Sequence, residues 1–154
     1  MRAVRVGCVR AIVAPFRRCH PMQSLLILLV LDERLRPRRF QAALAMFILI
    51  LIAGSIPGAR AEIGHVASGI ILHSIAYATL TFLLFTGTSG SRTVRAVRSV
   101  LIVAAMGAAD ECVQSLFPYR TAALGDWAVD VCASMVCATL LWAFLPPPLT
   151  RAPS

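Results

Sequence analysis

Lysine is absent from this sequence, and all fifteen basic residues are arginine. Acidic residues are scarce too, seven in all, so the formal charge is +8. The five cysteines, Cys8, Cys19, Cys112, Cys132 and Cys137, form no C-x-x-C pair and no zinc spacing. That argues against a disulfide framework or a zinc site. With no other local metal motif, neither a metal nor another cofactor is expected. What is abundant is apolar: 58% of the residues are hydrophobic and the mean hydropathy is +0.79, beyond the ordinary range of soluble domains. A soluble protein this basic would suggest nucleic acid. Here nine arginines lie between Arg2 and Arg39 and most others flank apolar runs, where the positive-inside rule accounts for them, so no nucleic-acid partner is expected.

About 20 predominantly apolar residues cross a hydrocarbon core roughly 30 Å thick. Four segments approach that length: Phe40 to Pro57, Ala67 to Phe85, Val97 to Phe117 and Asp126 to Leu145. Each is closed by a breaker: Pro57-Gly58, the Gly87 to Gly90 cluster, Pro118, and Pro146-Pro147-Pro148. The pattern predicts an all-α fold, a polytopic membrane helix bundle with about four transmembrane helices and the lipid bilayer as its surroundings. Residues 1–39 read as a basic cytoplasmic leader, 40–146 as the transmembrane domain and 147–154 as a short cytoplasmic tail.

Orientation follows from the arginines. Thirteen fall on one side of this arrangement, and only Arg60 and Arg120 on the other. Both termini are therefore expected in the cytoplasm, with the Gly58 to Val66 and Pro118 to Gly125 loops outside. In the leader, the apolar stretch Ser24 to Leu31 is too short to span and runs into Asp32-Glu33. It suits the membrane surface, or Met22 is the true start. Alternatively, Arg38-Arg39, the first span and Ala59-Arg60-Ala61 form a cleavable secretory signal, which would leave the other three spans in place.

The run from Asp110 to Asp130 is the chemically informative part. Ionisable groups in a membrane helix cost at least about 2.5–3.5 kcal/mol at its centre and normally face a bundle interior or wet cavity. Residues three or four apart share a helix face. That pairs His73 with Tyr77 on the second span, Glu111 with Gln114 on the third and Asp126 with Asp130 on the fourth. His73, Glu111 and Asp130 lie within roughly 10 Å of the outer interface, so the pairs are expected to converge on one outward-facing pocket below Arg120. Asp110 faces either a water-filled edge or that cavity.

These residues also carry a resemblance. Gly107-Ala-Ala-Asp110-Glu111-Cys-Val-Gln114-Ser-Leu-Phe-Pro118-Tyr-Arg120, then Asp126-Trp-Ala-Val-Asp130, resembles the motif of the VanZ-like family of small bacterial membrane proteins. That motif is glutamate, two spacers, glutamine, proline and arginine in the turn, then aspartate, three spacers and asparagine. His73-Ser-Ile-Ala-Tyr77 is similar to the family's histidine-and-tyrosine helix. The likeness covers about Gly54 to Trp142. Two positions depart: Gly69 to Leu72 lacks the aspartate-lysine pair common before the histidine, and Asp130 replaces an asparagine. The resemblance implies a multi-pass protein of the bacterial cytoplasmic membrane. It also implies a role near lipid-linked cell-wall precursors and a bearing on glycopeptide sensitivity.

Three classes of function fit the residues. As a binding module, the pocket would hold an anionic lipid head group or wall precursor through Arg120, with Gln114 and Tyr77 donating hydrogen bonds. As an enzyme, Glu111, Asp126 and Asp130 would do acid–base work with help from His73, since clustered carboxylates in low dielectric hold protons; a divalent cation among them is the variant of that idea. A transporter or channel is the third class, though one four-helix protomer offers no paired discontinuous helices. Plainer roles stand beside these: Asp126 as an N-cap, Arg120 as a partner of Glu111 or Asp126 in a wet turn, His73 as an interhelical hydrogen-bonding residue, and Trp127 and Tyr119 as interfacial anchors.

Overall fold

A computed structural model describes residues 32–57, 69–118 and 124–145. The helical unit begins at Glu33, and most of the leader, residues 58–68 and 119–123, and the tail lie outside the described residues. Among those residues a 3-10 turn at Glu33–Leu35 leads into four helices: α1 Arg36–Ser55, α2 Gly69–Gly87, α3 Arg92–Gln114 and α4 Leu124–Phe144. The fold is all-helical, as the apolar pattern predicts.

α1 and α3 begin further into the arginine-rich flank than the apolar runs suggest, because arginine is a good helix former and has carbonyls to bind there. Pro37 occupies the first turn of α1, where N–H groups have no intrahelical partner and its missing one costs nothing. Ser91 caps α3: its Oγ accepts the Val94 amide at 3.3 Å, so Arg92, Arg95 and Arg98 fall inside the helix rather than in a loop. Gly90, at φ 119°, turns the chain from α2 into α3 in a conformation that side-chain-bearing residues avoid.

The helices alternate in direction, and α2 packs against all three others, most extensively against α4. Their contact is set by small residues. Gly87 brings the end of α2 against the backbone of α1 at Phe40, and Gly107 on α3 accepts Trp127 and Asp130 of α4. Thr81 donates to Ser134 Oγ at 2.9 Å, and the Cys137 thiol reaches Ala78 O at 3.3 Å. Close approach over small residues plus buried hydroxyl bonds is how helices associate where no hydrophobic force separates them from their surroundings.

Three helical segments are long and apolar enough to cross a membrane: Glu33–Ser55, Gly69–Gly87 and Leu124–Phe144. The remaining helix, α3, is long enough at 23 residues and carries Arg92, Arg95, Arg98, Asp110 and Glu111, a charge load that goes with the way it faces. Its buried stripe is Arg95, Ser99, Val103, Met106, Gly107, Asp110 and Gln114, polar for most of its length, while Val97 and Leu101 point outward. The same inversion holds throughout. Asp130, Ser134, Thr81 and Ser99 are completely buried, whereas Leu49, Ile70, Leu101 and Val136 are each more than 60% exposed. Soluble domains bury such apolar side chains and rarely expose them in contiguous patches.

At the arginine end, basic side chains close the helix termini. Arg39 of α1 donates to Thr86 O from Nε at 3.1 Å and from Nη2 at 2.9 Å. Arg95 is 3% exposed, donates to Phe85 O at 2.6 Å and lies over the Phe85 ring at 4.5 Å. Arg92 reaches Trp142 O and Leu145 O, both at 3.3 Å. These carbonyls are the unsatisfied acceptors at the ends of α2 and α4, and a cation there also suits the helix dipole.

Candidate ligand-binding site

The opposite, acidic end of the bundle holds the polar groups. Its geometry begins with α2, where His73 and Tyr77 are one turn apart and their rings stack at 5.9 Å with an interplanar angle of 5°. Each ring then engages a carboxylate from a different helix. His73 Nδ1 donates to Asp130 Oδ1 on α4 at 2.8 Å, and its Nε2 faces Asp126 Oδ2, one turn earlier, at 3.9 Å. The Tyr77 hydroxyl donates to Asp110 Oδ2 on α3 at 3.3 Å. The stacked pair thereby ties three helices together through side chains alone.

Burial sharpens the chemistry. Asp130 is 0% exposed and Asp110 2%, and two of their oxygens, Asp110 Oδ1 and Asp130 Oδ2, have no hydrogen-bond partner among the described residues. An unpaired buried carboxylate oxygen is costly, about 1–3 kcal/mol or more for a charged group. Asp130 Oδ2 lies against Gly107, 3.2 Å from where a Cβ would stand. Asp110 instead lines a pocket of about 160 Å³ between α1, α2 and α3. The pocket lining is mixed: His73, Tyr77, Asp110 and Gln114 supply polar groups, and Ile50, Ala53, Leu72 and Ala76 supply apolar surface. Gly54 and Gly69 also border it.

The residues singled out by sequence are placed as follows. His73, Tyr77, Asp126 and Asp130 meet as one hydrogen-bonded and electrostatic group. Gln114 is buried and lines the pocket. Glu111 is half-buried and engaged in an interaction of its own, but it does not belong to the pocket lining formed by the described residues. Arg120 and Tyr119 lie outside the described residues. Asp126 sits in the first turn of α4, where its charge suits the helix N-terminus as well as His73. Trp127, expected as an interfacial anchor, is half-buried and donates from Nε1 to Ala104 O at 3.0 Å. Cys112, Cys132 and Cys137 are free thiols. Among the described residues no three histidine, cysteine or acidic side chains are arranged to hold a metal ion.

The sequence left Asp110 between a water-filled edge and the cavity. Asp110, rather than Glu111, is the α3 carboxylate in the pocket, and the signal for it was its four-residue spacing from Gln114, which continues the buried stripe of α3. The apolar wall from α1 carried no signal at all, since Ile50 and Ala53 stand in an unbroken apolar run. Chemically the site offers hydrogen-bond acceptors in excess, one imidazole whose Nε2 is free to take or give a proton once Nδ1 is committed to Asp130, and an apolar surface beside them. No protein-family model, no curated protein and no solved structure matches this chain.

Proposed function

We propose that the chain is a membrane protein that holds the head of an amphipathic envelope lipid, or of a lipid-linked cell-wall precursor. It would do so in the pocket at its acidic end, facing the outside of the bacterial cytoplasmic membrane. The observation that carries this reading is the mixed lining of the pocket, in which His73, Tyr77, Asp110 and Gln114 stand together with Ile50, Ala53 and Leu72. A lipid head with the start of its chains has that same mixed character. Supporting it are the inverted distribution of polar and apolar residues, three helices of spanning length, and the arginine excess at the other end, which would lie in the cytoplasm. The VanZ-like resemblance is the ground for extending the proposal to glycopeptide sensitivity.

Native mass spectrometry of detergent-extracted protein tests the reading. The wild-type chain should retain lipid that Ile50→Trp, which fills the pocket from its apolar lining, does not. Equal retention by both proteins would sink it. A second reading, proton transfer to or from a bound lipid-linked substrate, is favoured by the His73–Asp130 hydrogen bond with Asp126 across the ring, the arrangement that orients an imidazole for acid–base work. It requires conversion of the bound lipid, visible as a mass change in the same experiment.

A further inference from the structure

We infer that the pocket selects a lipid whose head carries a primary ammonium group, and that the Asp110 carboxylate is its receptor. This rests on the lipid-binding reading above and narrows it. Three observations lead to it. Asp110 lines the pocket while being 2% exposed, and one of its two oxygens already accepts from Tyr77 while the other has no partner among the described residues. A buried acceptor left in this state calls for a donor, and the pocket is the space from which a donor can come. Charge points the same way. The described ionisable groups around the site are Asp110, Glu111, Asp126 and Asp130 with a single imidazole, His73, and that imidazole is held by Asp130 and faces Asp126. A bare phosphate brought against Asp110 would add a like charge in a water-poor site. An ammonium would supply both the missing hydrogen bond and the opposite charge, at the strength of a charge-assisted pair.

The occupant that combines an ammonium with an apolar body suited to Ile50, Ala53 and Leu72 is an aminophospholipid of the bilayer itself. Its phosphate would lie toward the pocket mouth, away from Asp110, and its chains along α1, whose Ile48, Leu49 and Ile52 are exposed.

The test uses the full chain in detergent with three lipids of identical acyl chains: phosphatidylethanolamine, phosphatidylcholine and phosphatidylglycerol. Native mass spectrometry reads retention. Phosphatidylethanolamine should be retained about tenfold better than either other lipid, as expected for one hydrogen bond to a charged group. Asp110→Asn should erase that preference. Phosphatidylcholine binding as well as phosphatidylethanolamine would overturn the inference, because its methylated nitrogen has no N–H to donate. Phosphatidylglycerol binding as well or better would overturn it in favour of a phosphate or hydroxyl receptor. If Asp110→Asn does not fold, the three-lipid comparison on wild type and on Ile50→Trp still decides. Pocket-dependent retention without the amine preference defeats this inference alone, whereas retention indifferent to Ile50→Trp defeats the lipid-binding reading with it.

Discussion

Replacing Gly87 by alanine should destabilise the bundle by about 2–5 kcal/mol, combining overpacking with loss of hydrogen bonds to a charged group. Gly87 is the last residue of α2, and its φ is not positive, so the backbone itself accepts alanine. The obstacle is α1. A Cβ would stand 2.8 Å from Phe40 N, 3.2 Å from Phe40 Cα and 3.3 Å from Arg36 O. These are main-chain atoms of a neighbouring helix, with no side-chain rotamer to relieve them. Relief requires α1 to retreat by about half an ångström to restore ordinary contact distances. That costs about 1–3 kcal/mol as overpacking. The retreat also pulls Arg39 from Thr86 O, where two donors now sit at 3.1 and 2.9 Å. Gly125→Ala is the matched control: nothing lies within 4 Å of its Cβ position, and in the first turn of α4 alanine should be neutral or stabilising by up to about 1 kcal/mol. Unfolding in mixed micelles by added dodecyl sulfate, followed by far-ultraviolet circular dichroism, measures both. If Gly87→Ala unfolds at the same denaturant fraction as wild type, the close approach of α1 and α2 is not where the helices meet and the argument fails.

Gly107→Ala is predicted to act on the site rather than mainly on the fold. Its Cβ would meet Trp127 Cδ1 at 3.1 Å and Asp130 Oδ2 at 3.2 Å, and both neighbours are held elsewhere, by Ala104 O and by His73. The His73 imidazole resonances should shift in nitrogen-15 spectra, and unchanged resonances would count against the placement. Thr81→Val and Ser134→Ala should couple in a double-mutant cycle by about 0.6 kcal/mol, the usual worth of an interhelical hydrogen bond in a bilayer. Purely additive effects would mean that the 2.9 Å contact contributes nothing. For the proposed orientation, Thr121→Cys in a background without other cysteines should react with an impermeant thiol reagent on intact cells. Labelling only after permeabilisation reverses the topology.

The helical class and the approximate location of four helices could be read from apolar runs and breakers, because length and hydropathy are properties of contiguous residues. Helix ends could not. Ser91 and the arginines after it look like a loop in a hydropathy reading, and only the Ser91 cap and the carbonyl partners of Arg92 and Arg95 show why the helix includes them. The polar site was partly visible for a related reason. Same-helix spacing joins His73 to Tyr77 and Asp126 to Asp130, but a choice between adjacent residues such as Asp110 and Glu111 depends on rotation of α3 about its axis. That rotation is set by tertiary packing of Val103, Met106 and Gly107. Ile50 and Ala53 were beyond reach altogether, since an apolar residue that borders a pocket has the same composition as one that borders lipid.

Between the pocket and the arginine end, Leu80, Leu84, Phe85 and Val103 are wholly inaccessible, as is Ala43 from α1. Below this layer Arg39 and Arg95 are fastened to the last carbonyls of α2. Among the described residues the interior is thus a cul-de-sac: it has depth at one end and a solid floor. A single protomer with this cross-section gives a solute no route from one side to the other without parting its best-packed helices. Whatever enters among His73, Tyr77 and Asp110 must leave by the way it came or sideways into the surrounding lipid. Under the proposed lipid-binding reading, occupancy would then follow the abundance of the ligand on one face of the membrane only, and the bound fraction would report the composition of that leaflet.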